Sequence, residues 1–129
     1  ATAAMGIGPG DLMNDLKAFG LLFETLCVRD LRVYAQSLAG DVYHYRDKNG
    51  LECDAVVHLP NGDYALIEIK LGGEKLIEDG ANSLLRLASK IDVNRMKHPS
   101  FLMVLTATGT FAYRRKDNVL VVPISTLGA

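Results

Sequence analysis

Asp54, Glu68 and Lys70 are the residues whose types and spacing carry chemistry: an acid, a second acid, and an amine two positions beyond it in Glu68-Ile69-Lys70. Carboxylate oxygens brought together bind Mg²⁺ or Mn²⁺, and such an ion polarises a phosphate and lowers the pKa of a bound water. An adjacent ammonium orients that water or stabilises charge developing on the phosphoryl group. The combination suits phosphodiester hydrolysis. The bland alternative is a strand pair with a solvated polar face and an ordinary Glu/Lys pair. Glu24 is a further acid, projecting from an apolar helical stretch. It either adds an acid to this group or is a first-turn Glu favoured by the helix dipole.

The choice turns on strand register. Residues 51–59 and 64–71 read as strands in which Glu52, Asp54, Val56 and His58 alternate with Cys53, Ala55, Val57 and Leu59. In the second strand, Tyr64, Leu66, Glu68 and Lys70 alternate with Ala65, Ile67, Ile69 and Leu71. Side chains on a strand alternate faces, so each strand has one apolar face and one bearing carboxylates. The loop Leu59-Pro60-Asn61-Gly62-Asp63 has Pro where a type I turn takes it and Gly where a left-handed bulge residue belongs. That three-residue loop pairs Leu59 with Asp63 and Asp54 with Glu68. A two-residue Asn61-Gly62 turn would set Asp54 against Ile69 and mismatch the apolar faces. Val56 and Leu66 on the acid-bearing face call for a cover, and carboxylates beneath a helix need a partner or a metal.

The candidate cover is the first long helix. A short helix over residues 11–17, capped by Asp11, precedes a strongly helical stretch over 20–38. Phe19, Leu22, Phe23 and Leu26 form one apolar stripe of that stretch, and Val28, Leu31, Ala35 and Leu38 form another. A helix apolar over most of its circumference is expected to pack centrally. A strand over residues 41–47 ends at Lys48-Asn49-Gly50, a hairpin signal. After Gly72-Gly73, residues 76–91 read as a helix, 101–106 as a buried strand, and 111–114 and 119–122 as short strands. The class is α/β: an α-β-β-β-α-β core with trailing strands, a mixed central sheet flanked by helices on both faces.

Glu24 on the first core helix, Asp54 on the second strand and Glu68-Ile69-Lys70 on the third resemble the PD-(D/E)XK nuclease superfamily, whose restriction-endonuclease-like core has this element order. Cys53 stands where the motif's Pro would be. A longer set of residues is similar to the C-terminal domain of unknown function appended to predicted prokaryotic AAA+-type ATPases. It comprises Phe19-Gly20-Leu21-Leu22-Phe23-Glu24, Arg29-Asp30-Leu31-Arg32, Tyr45-Arg46-Asp47, Gly50-Leu51-Glu52-Cys53-Asp54 and Ile67-Glu68-Ile69-Lys70-Leu71-Gly72. The resemblance implies Mg²⁺-dependent (or Mn²⁺-dependent) cleavage of nucleic acid, with Asp54 and Glu68 as metal ligands, Lys70 as catalytic lysine and Glu24 as auxiliary acid. It also implies a nuclease-like domain over residues 19–129 that ends a longer chain, with residues 1–18 as a leader. ATP would be held upstream, since no G-x-x-x-x-G-K-[ST] loop occurs here. A catalytically silent domain that regulates the ATPase is the competing expectation.

At 129 residues and 22% charged, the chain suits one domain with a real core. It has no run of apolar residues long enough to span a membrane. Cys27 and Cys53 read as reduced core thiols of a cytoplasmic protein. Net charge is −1, but residues 1–70 carry ten acids and six bases against five and eight in 71–129. That asymmetry suits a metal site beside a phosphate-binding surface, or chance. Arg46, near the acids, pairs with a carboxylate or with phosphate. Arg114-Arg115-Lys116 either contact a nucleic-acid backbone, DNA foremost, or form a solvated turn. His58 is a rim contact or simply exposed. Tyr43, Tyr45 and Tyr113 stack on bases or on the sheet.

Overall fold

A computed structural model describes residues 9–48, 50–91 and 96–126, with side chains from residue 18 onward. The elements are α1 (Pro9–Ser37), β1 (Asp41–Arg46), β2 (Glu52–His58), β3 (Tyr64–Lys70), α2 (Glu74–Ser89), β4 (Phe101–Thr106), β5 (Tyr113–Arg114) and β6 (Leu120–Pro123), then a 3₁₀ turn over Ile124–Thr126. The strands form a single mixed sheet in the order β1-β2-β3-β4-β6-β5. β1, β2 and β3 are an antiparallel meander, β3–β4 and β4–β6 are parallel, and β5 returns antiparallel on β6. The α/β class and mixed sheet expected from the sequence are therefore present.

The β2–β3 register is the one the three-residue loop predicts. Val57 pairs with Ala65 and His58 with Tyr64, and the Leu59 N–H donates to the Asp63 carbonyl at 2.8 Å. Gly62 takes φ +94°, a left-handed value that strains any side-chain-bearing residue. The Asp63 N–H donates to Asn61 Oδ1 at 2.9 Å, and Lys97 pairs with Asp63 at 2.9 Å, holding the turn to the segment before β4. Of the other hairpin signal, Gly50 has φ +84°, while Asn49 lies outside the described residues.

Two expectations are corrected at the helices. α1 is one helix from Pro9, with no break between the short and long segments expected; Gly20 sits inside it, facing open space. Residues 1–8 and the side chains of 9–17, Asp11 among them, lie outside the described part. Nor is α1 central. It buries the single line Phe23, Cys27, Leu31 and Ala35 against Ala55, Val57, Ile67 and Ile69, the face away from Val56 and Leu66. Phe19, Leu21, Leu22, Val33, Tyr34 and Leu38 remain exposed. One sheet face accepts only one stripe of a straight helix, whatever the residues round the rest of its circumference.

α2 covers the other face, setting Ala81, Leu84 and Leu87 on Val56, Leu66 and Val104. The physical reason is the connection. A β3–helix–β4 crossover joining parallel neighbours has a fixed hand and so commits α2 to one side, and α1 takes the side left. Cys27 and Cys53 are free and fully buried in opposite cores, as reduced thiols, and burial pushes both up to about 12.

Candidate acid-pair site

The site begins at a β-bulge. Across β1, Tyr43 faces Val56 but Tyr45 faces Cys53, so β2 carries one residue more than its partner around Asp54 and Ala55. The simple alternation read from the sequence fails here. Cys53 joins Val56 in the α2-side core instead of lying opposite to it. The β2–β3 ladder runs from His58↔Tyr64 to Ala55↔Ile67. Past it, Asp54 Oδ2 accepts the Ile69 N–H at 2.8 Å, taking the place of a backbone carbonyl. Asp54 thus holds the strands where they part, and its carboxyl also shares a hydrogen bond with that of Glu68.

Asp54, Glu68 and Lys70 line one cavity of about 250 Å³ with Gly50, Leu51, Glu52, Ser83 and Arg86. Glu68 is only 7% exposed. Burial first, and then the hydrogen bond and charge of Asp54, push the Glu68 carboxyl up to about 9, with Lys70 pulling the other way. The Glu68 carboxyl therefore keeps its proton into the neutral range. Lys70 is positioned by α2. A Cβ on Gly80 would lie 3.3 Å from Lys70 Cγ and 3.2 Å from Val104 Cγ2, so the glycine lets the lysine stem pass close against the helix.

Glu24 stands next door. It borders a neighbouring cavity of about 440 Å³ with Ile69, Lys70 and Leu76, and Lys70 is the side chain shared with the acid-pair cavity. Burial raises its pKa, with the Asp54 charge adding and His44 and Lys70 opposing. Among the described residues no group of three or more His, Cys, Asp or Glu is arranged to hold a metal ion. The donor set is thus a pair. A carboxyl that retains a proton because burial and a neighbouring carboxylate disfavour its charge fits a hard divalent cation. Mg²⁺ characteristically takes one or two protein carboxylates and fills its shell with water and phosphate oxygens.

The outlying candidates divide by position. Arg46 is exposed on β1 with Nε 3.7 Å from Glu52 Oε1, and His44 Nε2 lies 3.2 Å from that same oxygen. Arg46 therefore borders the site through Glu52. Arg114, Arg115 and Lys116 lie on β5 and the following turn at the far edge of the sheet, about 14 Å from β3 at ordinary strand spacing. Arg115 is drawn to Asp117 at 3.3 Å. His58 is half-buried with its ring 6.3 Å from that of Tyr43. Tyr113 lies on β5, beside Phe111. Ser83 and Arg86 were not among the residues singled out from sequence. Their signal is a pair of polar residues one turn apart, flanking the apolar stripe of the crossover helix.

An α/β protein with a mixed sheet between two helices, its acid pair and lysine gathered where β2 and β3 separate, is the class that the fold and cavity define. The chain belongs to the family described as Domain of unknown function (DUF4143), whose pattern matches residues 19–127. No curated protein and no solved structure matches it. No helix among the described residues is long and apolar enough to cross a membrane.

Proposed function

We propose that this domain binds Mg²⁺ or Mn²⁺ at Asp54 and Glu68 and uses the site to bind nucleic acid, with DNA the first candidate, and to hydrolyse its phosphodiester bonds. In this reading it is a PD-(D/E)XK-type unit of an ATP-binding protein whose ATPase part lies upstream. The observation that carries the reading is the acid pair sharing one cavity with Lys70, one acid buried and holding a proton that a cation would displace.

Asp54 and Glu68 would hold the ion, which supplies charge neutralisation at the phosphate and a more acidic bound water. Lys70, its stem fixed against Gly80, offers its ammonium to charge developing on phosphate oxygens. Glu24 stands on the α1 side of Lys70, its carboxyl pKa raised first by burial and then by the Asp54 charge. Ser83 and Arg86 add a hydroxyl and a guanidinium to the α2 wall.

The test is calorimetric titration of Mn²⁺ into wild type and Asp54→Asn, followed by a plasmid cleavage assay. Asparagine keeps an oxygen for the Ile69 N–H and removes the charge, so the variant folds. Binding in wild type that drops at least about tenfold in the variant is expected. Wild type that takes up no Mn²⁺ at millimolar concentration would falsify the metal site. A second reading has its own observation: the exposed apolar side of α1, Phe19, Leu21, Leu22 and Val33 among it. It favours a silent interaction domain that regulates the attached ATPase, and Mn²⁺ titration separates the two.

A further inference from the structure

A third cavity, of about 440 Å³ and distinct from the one beside Glu24, opens on the α2 side of the sheet. Its floor is Val56 and Leu66, one wall is Leu87 of α2, and the other wall is Tyr43 and Tyr45 of the edge strand β1. Both tyrosines face this side because their partners across the ladder, Val56 and Cys53, belong to the α2-side core. Residues two apart on a strand share a face, so the two rings stand on one wall; the extra residue in β2 sets Cys53 as well as Val56 opposite them. Tyr43 is 48% and Tyr45 39% exposed, so flat ring surface is open to a ligand. Lys90 and His58 supply polar groups to the same lining.

This cavity adjoins the acid-pair cavity, and Leu51 lines both. A ligand whose anionic part sits at Asp54 and Glu68 can therefore extend a flat apolar part past Leu51 and between the tyrosines and Leu87. The volume is that of a small-molecule site. A nucleotide has that bipartite chemistry: a phosphate for the cation and a planar base for the rings, with base carbonyls for the Lys90 ammonium. A base stacked and paired inside a duplex cannot enter a slot walled on two sides. It has to be unstacked first, which costs least in a single strand.

We propose that the Tyr43–Tyr45–Leu87 cavity receives an unstacked nucleobase of the strand whose phosphate lies at Asp54 and Glu68, so that the domain acts on single-stranded or splayed nucleic acid rather than intact duplex. The inference rests on the acid pair being a phosphate-handling site, and it adds the form of substrate that the site takes. Stacking accepts any base, so sequence preference is weak.

The test uses an oligodeoxynucleotide carrying 2-aminopurine, single-stranded or annealed, in Ca²⁺ to hold back cleavage. The protein has no tryptophan, so base fluorescence is read without indole background. Wild type is expected to quench the single strand and to bind it at least about tenfold more tightly than the duplex. Tyr43→Ala is expected to weaken single-strand binding about tenfold and abolish the quench, while Tyr43→Phe retains both. Lys90→Glu, on an exposed position at the end of α2, is expected to weaken binding with no bearing on the core. Equal affinity for single strand and duplex, or a Tyr43→Ala variant that quenches like wild type, overturns the proposal. Mn²⁺ titration without nucleic acid is run alongside. Loss of metal binding with the quench intact overturns the metal reading alone, and normal metal binding without quench overturns the cavity alone.

Discussion

Glu68 is a carboxyl placed where its charge is expensive. Burial and the neighbouring Asp54 raise its folded pKa to about 9, far above its ordinary 4.5. The sign of the linkage follows: the folded state retains a proton that the unfolded chain gives up above about 4.5. This contribution is fully present at acid pH and is lost as pH rises toward 9. In EDTA, the thermal midpoint of wild type should therefore fall between pH 5 and pH 8.5. Glu68→Gln, neutral throughout, should flatten that slope and melt at least a few degrees higher at the alkaline end, read by differential scanning calorimetry. A slope unchanged in the variant would move the buried proton to some other group. Asp54 has a different structural share, since its Oδ2 meets the Ile69 N–H at 2.8 Å. Asp54→Ala orphans that N–H and should cost about 1–3 kcal/mol in urea unfolding, whereas Asp54→Asn should cost much less.

At the scale of elements, the decisive contact is between α2 and the end of β3. Gly80 lies in the helix against Val104 and the Lys70 stem, where a Cβ would already meet both at 3.2–3.3 Å and a branched side chain would have to displace them. Gly80→Val should destabilise by about 1–3 kcal/mol through overpacking. It should also turn Lys70 out of the cavity, lowering cleavage more than Mn²⁺ affinity, since the carboxylates keep their places. Cleavage and calorimetry run on the same preparation separate these effects. The β2–β3 hairpin was legible in Leu59-Pro60-Asn61-Gly62-Asp63 because turn chemistry is local and register follows from loop length. The bulge at Asp54 and Ala55 was not legible. It reflects how β1 and β3 each pair with β2, and no residue in that stretch announces it.

Over the whole molecule, charge is separated by the sheet's width. The acid pair lies between β2 and β3, and Arg114, Arg115 and Lys116 lie at the β5 edge, two strands beyond β3's neighbour. A short oligonucleotide at the acid pair does not reach that edge, while a long one can cross it. Replacing all three by Ala should leave Mn²⁺ binding and short-oligonucleotide affinity unchanged. For a long single strand it should lower the slope of log affinity against log salt by about 0.7 for each lost phosphate contact. Arg115, held by Asp117 at 3.3 Å, should matter least of the three. An unchanged slope on the long strand would make the basic turn a solvated loop.

The sequence by itself determined the periodic and local features: the α/β class, the strand segments, the turn at Gly62 and hence the facing of β2 and β3. Each of these is set by residues close together along the chain. Only the tertiary structure decided which helix lies over the acids, that α1 leaves most of its apolar side uncovered, and that Ser83 and Arg86 join Asp54, Glu68 and Lys70. Those outcomes depend on the hand of the β3–α2–β4 crossover and on two strands competing to pair with β2. Neither is encoded in any single stretch of residues, because both concern how distant stretches divide the faces of one sheet.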